Sequence, residues 1–182
     1  MKDQNPTPRI NTTQRSRMLT GMFADRQSTE SAYNVLHERG YTKDDINLVM
    51  SDQTRDKHFP KGETELGTKA FEGTGTGAAI GGVVGAAVGI IAAVGASVAI
   101  PGLGLVIAGP IIAGLAGAAG GGVTGGLIGT FVGSGMTDER ARLYDSGVKE
   151  GKIVMGVNPR NDEDAEYFRT LWNSSKAEQV HY

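Results

Sequence analysis

From Gly73 to Thr137 the chain runs for 65 residues without a single Asp, Glu, Lys, Arg, His, Asn or Gln. Its only polar side chains are Thr74, Thr76, Ser97, Thr124, Thr130, Ser134 and Thr137. The same block holds 21 of the 28 glycines in this 182-residue protein. Glycine without a three-residue period, and with only Pro101 and Pro110 among it, excludes a collagen-like helix. The residues between the glycines are Ala, Val, Ile and Leu, whereas a disordered tract would be polar and poor in β-branched side chains. A packed structure is therefore expected.

The glycines are ordered. Gly73, Gly77, Gly81, Gly85 and Gly89 recur every fourth residue, and Ala93 and Ser97 continue the row. Beyond Pro101-Gly102-Leu103-Gly104 a second row follows: Gly109, Ala113, Gly117, Gly121, Gly125, Gly129 and Gly133. Residues four apart share one ridge of an α-helix, so each row predicts a helix with a nearly bare groove that another backbone can approach. Larger side chains such as Ile80, Val84, Ile91 and Val94, or Leu115, Val123, Leu127 and Phe131, fall elsewhere. Proline and paired glycines at 101–104 predict the reversal between two arms of a helical hairpin. Small residues at four-residue spacing are the device by which helices pair closely in lipid.

Close packing does not by itself select lipid. Each glycine costs about 0.8 to 1 kcal/mol of helix propensity relative to Ala, so burial has to hold the arms. Ala78 to Ile100 spans 23 residues, about 34 Å at 1.5 Å per residue against a hydrocarbon core of about 30 Å. Its nine Ile or Val favour insertion by about 0.3 to 0.6 kcal/mol each, but eight Ala, five Gly and one Ser do not. No Trp or Tyr belt and no basic cluster flanks the turn. Three environments follow: a membrane, the space between copies in a soluble assembly, or the interior of one monomer.

The flanks read as a small α+β domain. Met18–Phe23 predicts a strand, Asp25 a helix cap, Gly40 the helix end, and Ile46–Met50 a second strand. After the block, Asp138–Glu150 predicts a helix, Lys152–Asn158 a strand, and Asn161 or Asp162 the cap of a helix through Trp172. Glu178–Tyr182 ends the chain as a short strand. Removing the block and its trailing helix leaves βαβ and βαβ, the order of a ferredoxin-like sheet. The expected organisation is a polar arm over 1–17, a first βαβ half over 18–51, a linker over 52–72, the glycine-zipper hairpin over 73–137, and a helix with the second βαβ half over 138–182.

Charge bounds the partners. Residues 1–72 carry 11 basic and 11 acidic side chains, and residues 138–182 carry 7 and 9. There is no basic excess for nucleic acid. The absence of cysteine excludes disulfides and thiolate zinc sites. The polar start lacks the apolar stretch of a signal peptide, so a cytoplasmic, non-secreted protein is expected. Lys2, Arg9, Arg15 and Arg17 against Asp3 give the arm a charge of +3, which suits a solubilising tail or contact with anionic head groups.

These blocks together resemble a bacterial family of general stress proteins, the heat-induced YflT-type domain. The resemblance covers roughly residues 18–175 and rests on TGMFADRQSTESAYNVLHERGY with INLVM, TKAFEGTGTGAAIGG, AIPGLG, and ERARLYDSGVKEGKIVMGV. It implies a glycine-zipper hairpin inserted in a ferredoxin-like scaffold, a role in stress physiology, and no known catalytic residue. The polar N-terminal arm departs from the shorter family pattern.

Motifs for chemistry are weak. Gly62 to Lys69 has the gap of a phosphate loop, but Thr68 and Lys69 stand in reverse order. Gly120–Gly125 matches GxGxxG inside an expected helical arm, where no dinucleotide turn can form. His37, His58 and His181 are too scattered for a metal site, and Asp162, Glu163, Asp164 and Glu166 suit the opening of a helix. No cofactor, metal or catalytic residue is assigned. The leading expectation is a non-enzymatic homo-oligomeric stress protein that self-associates through its glycine rows and inserts its hairpin in the inner face of the cytoplasmic membrane. The alternatives are a soluble ring, shell or filament with the hairpin buried between subunits, and a small-molecule sensing domain.

Overall fold

A computed structural model describes residues 18–60, Val94, 97–100, 102–111 and 126–182. These build an α+β fold with one six-stranded antiparallel sheet of order β3-β4-β2-β5-β1-β6. The strands are β1 (Leu19–Phe23), β2 (Ile46–Ser51), β3 (Val98–Ile100), β4 (Leu105–Ala108), β5 (Ile153–Val157) and β6 (Glu178–His181). The described helices are α1 (Arg26–Glu38), α2 (Asp52–His58), α3 (Gly126–Gly133), α4 (Asp138–Lys149) and α5 (Asp162–Ser174).

The three central strands are apolar runs because both faces of the sheet are covered. Alternate residues go to opposite sides. Leu19, Phe23, Ile46, Leu48, Met50, Ile153, Met155 and Val157 pack with Tyr33 and Leu36 of α1 and with Phe168 and Trp172 of α5. Met22, Val49 and Val154 face the other way, toward Leu127 and Phe131 of α3 and Ala141, Tyr144 and Val148 of α4. The starts of α1 and α5 and the end of α1 are where the sequence places them, while α5 runs past Trp172 to Ser174. Asp25 and Asn161 cap α1 and α5 through hydrogen bonds from Ser28 and Asp164 N–H, and Gly40 follows α1 with φ +76°. Trp172 is fully buried, its ring meeting Phe23 edge-on at 5.5 Å.

Three expectations need correction. The segment 52–72 is not a plain linker at its start: Ser51 caps α2 by accepting from Thr54 N–H, a Ser-initiated turn overlooked beside the stronger glycine signal. The second correction concerns the turn. Gly102 and Gly104 join two strands rather than two helices, with φ +82° and +62°. Pairing runs Val98↔Ile107, Ala99↔Val106 and Ile100↔Leu105, and β4 continues onto β2 from Leu48↔Ala108 to Ser51↔Leu105. β-branched Val and Ile on both sides of a glycine turn favour a hairpin of strands, and the free edge of β2 supplies the partner.

The third correction follows for the row members themselves. Ser97 lies outside any helix, in a turn whose N–H meets Val94 O at 3.1 Å. Gly109 follows β4 with φ +93°, and a Cβ there would collide with the Ile46 carbonyl. It is a close strand approach, not a helix groove. Gly133 does lie in α3, but a Cβ on it would meet nothing within 4 Å, so no backbone approaches it among the described residues. Gly129 lies half-buried in α3. Gly77, Gly81, Gly85, Gly89, Ala93, Pro101, Ala113, Gly117, Gly121 and Gly125 lie outside the described residues.

Candidate functional site

The β3-β4 hairpin is where the uncharged block joins the sheet, and it is built by three side chains. Val94, helical and 1% exposed, packs into the core on the α1/α5 face. Ile111, helical and 8% exposed, packs on the opposite α3/α4 face. Between them the chain turns around the sheet edge. Asn47 holds the second junction: alternation along β2 points it to the α3/α4 face, where its Oδ1 accepts the Ile111 N–H at 2.7 Å. Its Nδ2 donates to Gly156 O at 3.4 Å. An Asn only 4% exposed is a costly choice for a central strand unless its amide is used on both sides.

That arrangement separates what the sequence had placed together. The inner ends of the two expected arms enter opposite faces of one sheet, so they do not meet across a helical turn at 101–104. Val98 is 49% exposed and Leu103 38% exposed on this edge. A shallow cleft of about 240 Å³ beside it is lined by Ser51, Leu103, Gly104, Leu105, Gly126, Leu127, Asp145, Val148 and Lys149. Among the described residues its one cation is Lys149, paired with Asp145 at 2.7 Å.

One further polar cluster joins α1 to α5, and another ties α4 to the sheet. At one end, Tyr41 Oη donates to Asp164 Oδ2 at 2.7 Å and accepts the Arg160 N–H at 2.7 Å. Arg39 Nη1 donates to Asp164 Oδ1 at 3.0 Å, and the Arg39 and Arg160 guanidiniums lie 4.1 Å from the Tyr167 and Tyr41 ring centroids. Burial raises the Tyr41 hydroxyl above its usual range. At the other end, Tyr144 Oη donates to Gln179 O at 2.9 Å and lies 2.7 Å from Thr20 Oγ1. Burial pushes the Tyr144 hydroxyl up to about 12.

The acidic group at the start of α5 is divided by its surroundings. Asp162 and Glu163 are exposed in the first turn, while Asp164 is buried under Arg39 and Tyr41. None of the three histidines joins another. His37 stacks on Tyr33 at 6.5 Å, His58 ends α2, and His181 faces Tyr144 at 6.3 Å. Among the described residues no group of three or more His, Cys, Asp or Glu is placed to hold a metal. None of their helices is long and apolar enough to cross a membrane.

Sequence reading missed Asn47, Val94 and Ile111 as the anchoring residues. A signal existed for Asn47, a lone amide inside the apolar run Ile46–Met50. The Thr20–Tyr144 contact had none, since 124 residues separate its partners. No family model, curated protein or solved structure matches the chain.

Proposed function

We propose that the chain is a non-enzymatic, self-associating protein of bacterial stress physiology, in which a sheet domain roots an uncharged glycine-row segment and copies join through the bare rows. The observation that carries this reading is the rooting, with Val94 and Ile111 buried on opposite faces of the sheet. A hairpin inserted in a bilayer needs its turn to lead into lipid, but the turn at Gly102–Gly104 closes a pair of strands on the sheet edge. Fourteen residues separate Ile111 from Gly126. Even a helix through all of them would rise about 21 Å, short of the about 30 Å of hydrocarbon.

Protein is then the better surroundings for the second row. Glycine at every fourth position weakens a helix in water and repays that only where another backbone comes close. The strand order β6-β1-β5-β2, with α1 and α5 as the crossovers, supports a ferredoxin-like reading of the sheet, extended at one edge by β4 and β3. The stress role rests on the resemblance of the sequence blocks alone.

Sedimentation velocity tests the association. The Gly81→Leu, Gly85→Leu double variant fills one row and should lower the assembly size; an unchanged size sinks the claim. Alkaline carbonate washing of membranes from expressing cells tests the surroundings. Release into the supernatant supports rows that face protein, whereas retention in the pellet would transfer them to lipid.

A further inference from the structure

The C-terminal strand is held by a different logic from the others. β6 pairs with β1 at Thr20↔His181 and Met22↔Glu178, and the register slips between these two pairs. Gln179 inside the slip has φ +53°, and Lys176 just before the strand has φ +60°. Both are left-handed positions for side chains that disfavour them. What holds Gln179 there is its carbonyl, which accepts from the buried Tyr144 hydroxyl.

His181 sits opposite Thr20 on the same face and turns its ring edgewise to Tyr144, centroids 6.3 Å apart. Its Nε2 is buried and has no hydrogen-bond partner among the described residues. The charged groups around it offer none. Arg140, one turn before Tyr144 on α4, carries a positive charge that disfavours a charged imidazole. On β6 itself Glu178 is engaged by Lys152 Nζ at 2.7 Å, and from α5 Asp162 accepts from the Tyr182 hydroxyl at 3.4 Å. A neutral ring tolerates this position. An imidazolium would carry a buried N–H with no acceptor and would face Arg140.

We propose that β6 is an acid-released latch, in which protonation of His181 unseats the strand from β1 and from Tyr144 and opens the outer edge of β1. The sign follows from where the proton binds better. Burial, with Arg140 adding to it, lowers the closed-state pKa below 6.5, so the released strand takes up the proton more readily. Closure is intact above about pH 6.5 and is lost as pH falls through the closed-state pKa, by up to about tenfold in the opening constant per pH unit.

Amide hydrogen exchange on the full chain, corrected for intrinsic rates, reads the opening at Thr20, Val180 and His181. Protection at these amides should fall between pH 7 and pH 5 in the wild type, while amides of β2 and β5 hold. His181→Phe keeps a ring against Tyr144 without the titration and should remove the drop. Arg140→Gln should move its midpoint to higher pH, and His58→Gln should leave it in place. A wild-type response shared by His181→Phe, or a midpoint unmoved in Arg140→Gln, would overturn the latch.

Discussion

Tyr41 donates its hydroxyl to Asp164 Oδ2 at 2.7 Å, joining the residue after the α1 stop to the first turn of α5 across 123 positions of sequence. The same oxygen accepts the Arg160 N–H at 2.7 Å. Removing it in Tyr41→Phe leaves a carboxylate 6% exposed with one donor fewer and a backbone N–H without its acceptor. The expected cost is about 1 to 3 kcal/mol in urea unfolding. In a double-mutant cycle with Asp164→Asn the two losses should not add, since both break one network. Additive losses would mean that the two side chains act separately.

Alkaline pH should unfold the protein through its buried phenols. Burial raises Tyr33 and Tyr144 from 10.0 to about 12 each. The unfolded chain releases these protons near pH 10 and the folded chain near pH 12. Their contribution is thus fully present below pH 10 and is lost as pH rises toward 12. Tyr144→Phe should reduce the slope of stability against pH in that window by about one proton, about 1.4 kcal/mol per pH unit. Denaturant melts at successive pH values give the slope; an unchanged one would show Tyr144 to be ionising freely.

Asn47 should be needed for its amide rather than its size. Its Oδ1 holds the Ile111 N–H at the place where the block leaves β4. Asn47→Leu fills similar volume but leaves that donor unpaired, and should cost about 1 to 3 kcal/mol by thermal melt. Asn47→Asp retains an acceptor but near neutral pH sets a buried carboxylate against the Gly156 carbonyl, so its loss should shrink, to below that of Asn47→Leu, as the pH is lowered and the carboxyl is protonated. Equal losses in the two variants would point to the Nδ2 contact with Gly156 instead.

The elements that could be read from sequence are those whose own residues decide them. β1, β2 and β5 are short apolar runs between turn signals, and α1 and α5 carry caps at Asp25 and Asn161. Residues 98–109 show what happens when two local patterns overlap. The four-residue row extends through Ser97 and Gly109, yet Val98–Ile100 and Leu105–Ala108 also read as β-branched runs around a glycine turn. The edge of β2 decided between them, and an edge is a tertiary fact. The candidate site follows the same division. Its glycines were visible as spacing, whereas the burial of Val94 and Ile111 on opposite faces depends on where the sheet ends.

Gly109 and Gly133 belong to one row in the sequence and should respond oppositely to the same methyl group. At Gly109 the backbone has φ +93° and an added Cβ would strike the Ile46 carbonyl, part of the rigid central strand. Gly109→Ala therefore combines backbone strain of about 1 to 3 kcal/mol with a clash that neither β2 nor β4 can relieve without losing ladder hydrogen bonds. It should lower the melting temperature or prevent folding. At Gly133 the helix ends in open space, with no atom within 4 Å of the added carbon. There alanine gains helix propensity at no steric cost, so Gly133→Ala should be neutral or stabilise by up to about 1 kcal/mol. Thermal melts of the two variants side by side distinguish a shared packing role from two unrelated positions. If both substitutions destabilise by similar amounts and reduce the assembly size together, the row is a single packing surface that reaches Gly133. Opposite signs at an unchanged assembly size confine any packing role of the second row to its members before α3.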